Sequence, residues 1–394
     1  MRMTTLARRA YVALILVALT VVACGGPESS ATGVSTEGTG QPAEGNEGDC
    51  SERLQQIYDE VDGLDWDARR EALLEFAQQE DGALMLYASS GQVMVDGLVE
   101  EFTATTDLDV DVYRAGNTDV MRRVTEERKA GGVRGDVLLL NDPEITILAR
   151  ESFFAPLSTP ATEQLHSEYV HEDRAGVAIL HYTVGRNTDF VSDEEAPTTW
   201  EEALTYDGDI YLEEKSWDWF AAIVNYLVDE QGMTEDEAVQ LFREAAGRAQ
   251  ITSGRTATVQ QLMAGGADLS PSLFLNGIED AVEAGAPIAW QPTVQPMPGR
   301  SNDVAILADC TRPAKSLLFA DSVLTDGQAV VGSLNYTPAT TEKVETFDLP
   351  MSEYDTIRMD IDMLIDERPY WEDLYMDVIA AGTKVEAPAE GGGG

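Results

Sequence analysis

Cysteine and histidine are scarce in this chain, three of each among 394 residues, and basic side chains are few beside acidic ones, 26 against 71. The resulting net charge of −45 excludes nucleic acid as a partner, because a phosphate backbone needs a basic footprint. It equally excludes docking on an anionic lipid surface through basic residues. His166, His171 and His181 lie in no Cys/His cluster, and neither Cys50 nor Cys310 stands in a Cys-x-x-Cys spacing. A zinc site therefore has no support, and neither a metal nor a cofactor is assigned. No Gly-x-Ser-x-Gly elbow or His-Glu-x-x-His pair occurs, so nothing supports an enzyme. Long apolar runs are also lacking. The longest, within residues 10–23, is about a dozen residues, short of the roughly 20 that span a bilayer. The acidity reads first as a solvated coat suited to high salt, and second as a funnel for cations.

What is present begins with that short run. Arg2, Arg8 and Arg9 precede it and small residues lead out of it into Cys24, the layout of a secretory leader over residues 1–23. Val21–Val22–Ala23–Cys24 resembles a bacterial lipobox, which implies a diacylglycerol on Cys24 and a place on the extracytoplasmic side of the cytoplasmic membrane. Residues 24–50 are Gly, Ser, Thr, Pro and Glu with almost no large apolar side chain, a flexible stalk by composition; residues 387–394 form a similar tail. In an oxidising compartment Cys50 and Cys310 are either paired with each other or free.

Between stalk and tail lie roughly 340 residues, enough for two domains. Residues 51–80 read as a helical extension, with Leu54, Ile57, Tyr58 and Val61 at helical spacing. Short apolar runs at 83–88 and 136–140, and an alternating one at 108–113, read as strands, each followed by a helical pattern. Strand, loop and helix repeated three times argue an α/β domain with a parallel sheet. Further strands are expected at 177–185, 209–212, 287–290 and 304–307, with Thr199 capping one helix and a capping box at Thr234–Glu237 opening another.

Ligands of parallel sheets bind at the carboxyl ends of the strands. Those ends carry Ser89 and Ser90, then Arg114, Asn117 and Thr118, then Asn141 and Asp142. Ser90, Thr118 and Asp142 read equally as helix N-caps, but hydroxyls and amides at three successive strand ends suggest a binding mouth.

Several local patterns together resemble the periplasmic iron-type solute-binding proteins of ABC importers. They are Leu74 through Gly82 leading into Leu84–Met85–Leu86–Tyr87–Ala88–Ser89–Ser90, then Phe102 to Val110, then Gly135–Asp136–Val137–Leu138–Leu139. Val184–Gly185–Arg186–Asn187–Thr188, Pro197–Thr198–Thr199–Trp200, and the stretch from Ala308 through Phe319 to Asp326–Gly327–Gln328 continue the likeness. The resemblance implies a two-lobed type II periplasmic-binding-protein fold with a discontinuous first lobe and hinge crossover strands. Lobe 1 would hold residues 81–182, lobe 2 residues 183–289, and residues 290–386 would return to lobe 1 and form C-terminal helices. It further implies a monomer that captures a small solute between its lobes and delivers it to the permease subunits of an ABC importer. Sensing for a signalling partner is the alternative, with ferric binding and hydrolysis behind it.

Two departures and two motifs shape the expected site. Where ferric members carry adjacent tyrosines, this chain has Ser272–Leu273–Phe274–Leu275–Asn276, which offers no phenolate for Fe(III). Asp107 stands where the family has a glycine. Trp217 and Trp219 cannot share a helical face, so one belongs to the core and the other to a pocket wall. Ser253, Arg255 and Thr256 around Gly254 offer two hydroxyls and a guanidinium, which with Arg114 points to an anionic head group or a metal chelate.

Overall fold

The computed structural model describes residues 50–384. The leader, Cys24, the stalk up to residue 49 and the tail lie outside the described residues. The apolar spacing noted above builds α1 (Cys50–Val61), and α2 (Trp66–Ala77) follows, its first turn capped where the Asp65 carboxylate accepts from Ala68 N. A disulfide joins Cys50 to Cys310, with 5.3 Å between their Cα atoms.

Next come β1 (Leu84–Ala88), α3 (Gln92–Thr106), β2 (Val110–Arg114), α4 (Asn117–Lys129), β3 (Val137–Asn141) and α5 (Glu144–Arg150). The three strands pair in parallel as β3-β1-β2, with Leu84 opposite Val110 and Leu86 opposite Val137. Continuous apolar runs suit the two inner strands, which are covered on both faces, while β2 sits at the edge and exposes Asp111 and Val112.

The chain then enters β4 (Arg174–Asn187), whose fourteen residues are all buried. Its second half opens a second α/β unit: α6 (Trp200–Thr205), β5 (Ile210–Glu213), α7 (Trp217–Asp229), α8 (Glu235–Ala246), β6 (Ala249–Thr252), α9 (Arg255–Met263), β7 (Leu269–Phe274), α10 (Leu275–Glu283) and β8 (Ile288–Ala289). Thr199 caps α6 through Glu202 N, and Thr234 and Glu237 form a full capping box on α8. Strand β9 (Met297–Ile306) leads back, antiparallel to both β4 and β3, and is followed by α11 (Pro313–Leu324), α12 (Gly327–Ser333) and β10 (Thr337–Pro338).

A third crossing follows. After β11 (Thr356–Arg358), which pairs with the start of β9, helices α13 (Ile361–Asp366) and α14 (Arg368–Ile379) and strand β12 (Thr383–Lys384) settle on the second lobe. The strand order is β12-β6-β5-β7-β4-β9-β3-β1-β2, with β4 and β9 shared across the middle. Each lobe has its own core. One gathers Phe102, Leu139, Ile306 and Phe319. The other gathers Trp200, Trp219, Phe220 and Phe242 with Trp371 and Tyr375 from α14.

Asp303 lies on β9 at 0 % exposure. Burial, then the negative charge of Asp142, push its carboxyl up to about 7 from 3.8, against the Arg174 and Arg358 guanidinia; Arg174 Nε is 3.3 Å away. A carboxyl raised on folding stabilises the fold only while it is protonated, so its contribution is lost as pH rises from about 4 to about 7. His171 and His181, both lowered to about 4 first of all by burial, act in the opposite sense between pH 4 and 6.5. The melting-temperature difference between Asp303→Asn and wild type isolates the carboxyl. It should grow in favour of the variant from pH 4 to pH 7 and stay level above; a flat difference would show that Asp303 ionises normally.

Candidate functional site

A cavity of about 460 Å³ opens where the two lobes face each other across β4 and β9. Lobe 1 contributes the start of α4, with Asn117 and Thr118, and the start of α5, with Pro143 and Glu144. Lobe 2 contributes Glu214, Lys215, Trp217 and Asp218 from the β5–α7 turn and Arg255 from the start of α9. Arg300 rises from β9, and α14 closes one side with Arg368, Glu372, Asp373, Tyr375 and Met376.

The floor is a hydrogen-bonded cluster around Asp218. Its Oδ2 accepts from Arg300 Nη1 at 2.6 Å and from the Tyr182 hydroxyl at 2.9 Å. Arg255 Nη2 donates to the Tyr182 oxygen at 3.0 Å and to Ser216 Oγ at 2.9 Å, and Ser216 donates on to Glu213 Oε2 at 2.9 Å. Both guanidinia also lie over the Phe274 ring, 4.5 Å (Arg255) and 5.5 Å (Arg300) from its centre. Burial works against the Asp218 charge, but Arg300 and Arg255 outweigh it and hold the carboxyl below its usual range. Glu213 is raised by burial despite Arg255, and burial keeps the Tyr182 phenol protonated.

Polar bridges join the lobes. Arg368 Nη1 reaches Glu144 Oε1 at 3.3 Å, Arg150 on α5 pairs with Asp362 at 2.6 Å and with Asp366 on α13, and Asn335 donates to Glu283 on α10 at 3.2 Å. Glu144 also receives the amide of Asn117.

Of the residues expected from the sequence, Asn117, Thr118, Trp217 and Arg255 line this cavity. The other strand-end residues turn inward on one another. Ser89 donates to Asn117 Oδ1, Ser90 donates to Asn302 Oδ1, and Asn302 donates to Asn141 Oδ1 at 2.7 Å. The Asp142 carboxylate accepts from Thr146 and Ser301, so only its backbone carbonyl, held by Arg300, approaches the floor. Nor does any of Ser90, Thr118 and Asp142 cap a helix; the N-caps of α3, α4 and α5 are Gly91, Gly116 and Pro143. Arg114 is exposed and donates to Ser90 O. Trp219 is not a wall residue but a core one, at 0 % exposure against Trp200 and Phe242, because the helix turns it to the side opposite Trp217. Ser253 and Thr256 are exposed and do not line the cavity. Asp218, Arg300, Glu144 and Arg368 escaped the sequence reading, since four separate segments deliver them; Asp218 alone carried a signal, sitting between the two tryptophans.

No protein-family model and no curated protein matches this sequence. Solved structures do. Iron-bound HitA from Pseudomonas aeruginosa aligns with 76 % of this chain and 99 % of its own at 15 % identity, TM-score 0.65. AfuA from Actinobacillus pleuropneumoniae, with fructose-6-phosphate bound, aligns over 76 % and 99 % at 19 % identity, TM-score 0.63. MotA from A. tumefaciens B6, in complex with glucopine, aligns over 76 % and 100 % at 12 % identity, TM-score 0.60. The chain therefore has the α/β fold of the two-lobed periplasmic binding proteins. The family resemblance drawn from the local sequence patterns points the same way.

Proposed function

We propose that this protein captures a small solute between its lobes outside the cytoplasmic membrane, held there by a lipid on Cys24, and presents it as a monomer to the permease of an ABC importer. The observation that carries the reading is the interlobe cavity itself. It is walled by both lobes, reached by Arg300 of the crossing strand β9, and large enough for a small molecule. Names of structural neighbours state iron, iron with citrate, fructose-6-phosphate, glucopine and, for one described as a receptor, GABA, so this scaffold accommodates diverse solutes. Here Arg255 and Arg300 would hold the solute's anionic head, and Trp217 would supply an apolar wall. Direct Fe(III) ligation has little support, because the aromatic facing both arginines is Phe274, which offers no oxygen ligand.

Closure on a solute is a hinge motion about β4 and β9. Small-angle scattering should show the particle contracting when a ligand found by thermal-shift screening is added, since a ligand that binds only the folded form raises the melting temperature by mass action. Cys24→Ala should release the chain from the membrane fraction. Scattering curves unchanged with every stabilising ligand would overturn solute capture, and a Cys24→Ala chain that still pellets with membranes would overturn the lipid.

A further inference from the structure

We propose that α5 acts as a two-point electrostatic latch between the lobes, its Glu144 and Arg150 gripping the α13–α14 corner and favouring the closed arrangement before any solute arrives. This goes beyond solute capture, since it concerns the balance between open and closed lobes whatever the cavity takes.

Both ends of α5 are engaged. Glu144 opens the helix and Arg150 ends it, about 9 Å further along at about 1.5 Å per residue. Arg368, the first residue of α14, reaches Glu144 Oε1 at 3.3 Å, while Arg150 reaches Asp362 at 2.6 Å and also Asp366, both on α13. One lobe thus presents a negative and then a positive group, and the other presents their complements. Two contacts of opposite sign fix register as well as approach. Arg368 is braced for its part: its Nε donates to Glu372 at 2.8 Å and its guanidinium lies 5.2 Å from the centre of the Trp217 ring. Acid at the start and base at the end also suit the dipole of α5, but a dipole needs no partner on another lobe.

Charge supplies the reason for such a latch. Acidic side chains outnumber basic ones in both lobes, so the lobes repel each other across the cleft. The repulsion is also local. Glu172 and Asp173 of lobe 1 line the same surface recess as Asp362, and Arg174 beside them is taken up by Asp173 at 2.9 Å and by Asp303. Without Arg150, carboxylates would face carboxylates there. Exposure sets how salt acts on the contact: Arg150 is 37 % exposed, Asp362 79 % and Asp366 65 %, so mobile ions reach all three. The latch therefore contributes most in dilute medium, where the Debye length is about 30 Å at about 0.01 M salt, and least at about 1 M, where it is about 3 Å.

The test reads the ratio of closed to open molecules, without solute, by single-molecule energy transfer in the mature chain carrying Cys24→Ala. Dyes are placed through Val93→Cys on α3 and Phe190→Cys beyond β4, both exposed and on different lobes. Exposed ion pairs are individually weak, so Arg150→Gln should lower the ratio about three- to tenfold at about 0.01 M salt. The gap from wild type should shrink towards nothing at about 1 M. Arg122→Gln is the control, because it removes the same charge but pairs only with Asp119 on its own helix. It should leave the ratio within about twofold. Arg150→Asp should open the lobes further, and adding Asp362→Arg should close them again with the net charge of wild type. Equal ratios in Arg150→Gln and Arg122→Gln, a gap that widens with salt, or an exchanged pair that stays open would each overturn the latch. Faster amide exchange in α13 with an unchanged ratio would do the same, assigning Arg150 to local stability alone. None of these results touches solute capture, which is read from contraction on adding a ligand.

Discussion

Phe220→Ala should destabilise the second lobe by about 3–5 kcal/mol, the usual cost of emptying a fully packed aromatic site. Phe220 is 0 % exposed and its ring meets Phe242 at 4.7 Å, Tyr375 at 5.2 Å and Trp371 at 6.0 Å. It thus ties α7 to α8 and to the C-terminal α14. The loss should concentrate where one partner can move away. Amide exchange should accelerate most in α13 and α14, which reach lobe 2 last and carry Arg368 and Glu372 to the cavity rim. Solute affinity should fall with it, since Arg368 also bridges to Glu144 in lobe 1. Uniform acceleration across both lobes would show that α14 is not a separately held element.

Arg69→Met should cost about 3–5 kcal/mol, and adding Asp321→Leu should recover most of it. Arg69 Nε on α2 donates to Asp321 Oδ2 on α11 at 3.0 Å, and the two side chains are 5 % and 4 % exposed. Removing the arginine alone leaves a buried carboxyl that burial already raises above its usual range even with Arg69 in place. The double change removes the orphan and replaces an ion pair with apolar contact. Urea melts of the two variants settle it. A double variant as weak as the single one would mean that Arg69 acts through packing or through its contact with Ser158 O, not through charge.

Much of the architecture was legible because its signals are local. Thr199 and the Thr234–Glu237 box announce helix starts through side chains that reach only three residues along the chain. The apolar runs of β1 and β3 announce buried strands in the same way. The site was legible only where a motif happened to face the cavity, as Trp217 and Arg255 do. Ser90 and Asn141 looked equally available from the sequence, yet both are consumed by Asn302, which the return strand β9 inserts beside them. That competition is a long-range event with no local trace. Arg300 arrives by the same strand, and Arg368 by a third crossing whose apolar residues, Trp371 and Tyr375, show that a helix is buried but not which lobe buries it.

The Cys50–Cys310 bond has a mechanical consequence. It fastens the first turn of α1 to the segment between β9 and α11, entirely on the lobe 1 side of the crossing strands. A pull applied at Cys50 would therefore be borne by lobe 1 and would not act across β4 and β9. If the protein is held by its amino-terminal segment as proposed above, lobe 1 would be the held half and lobe 2 the half left free to move.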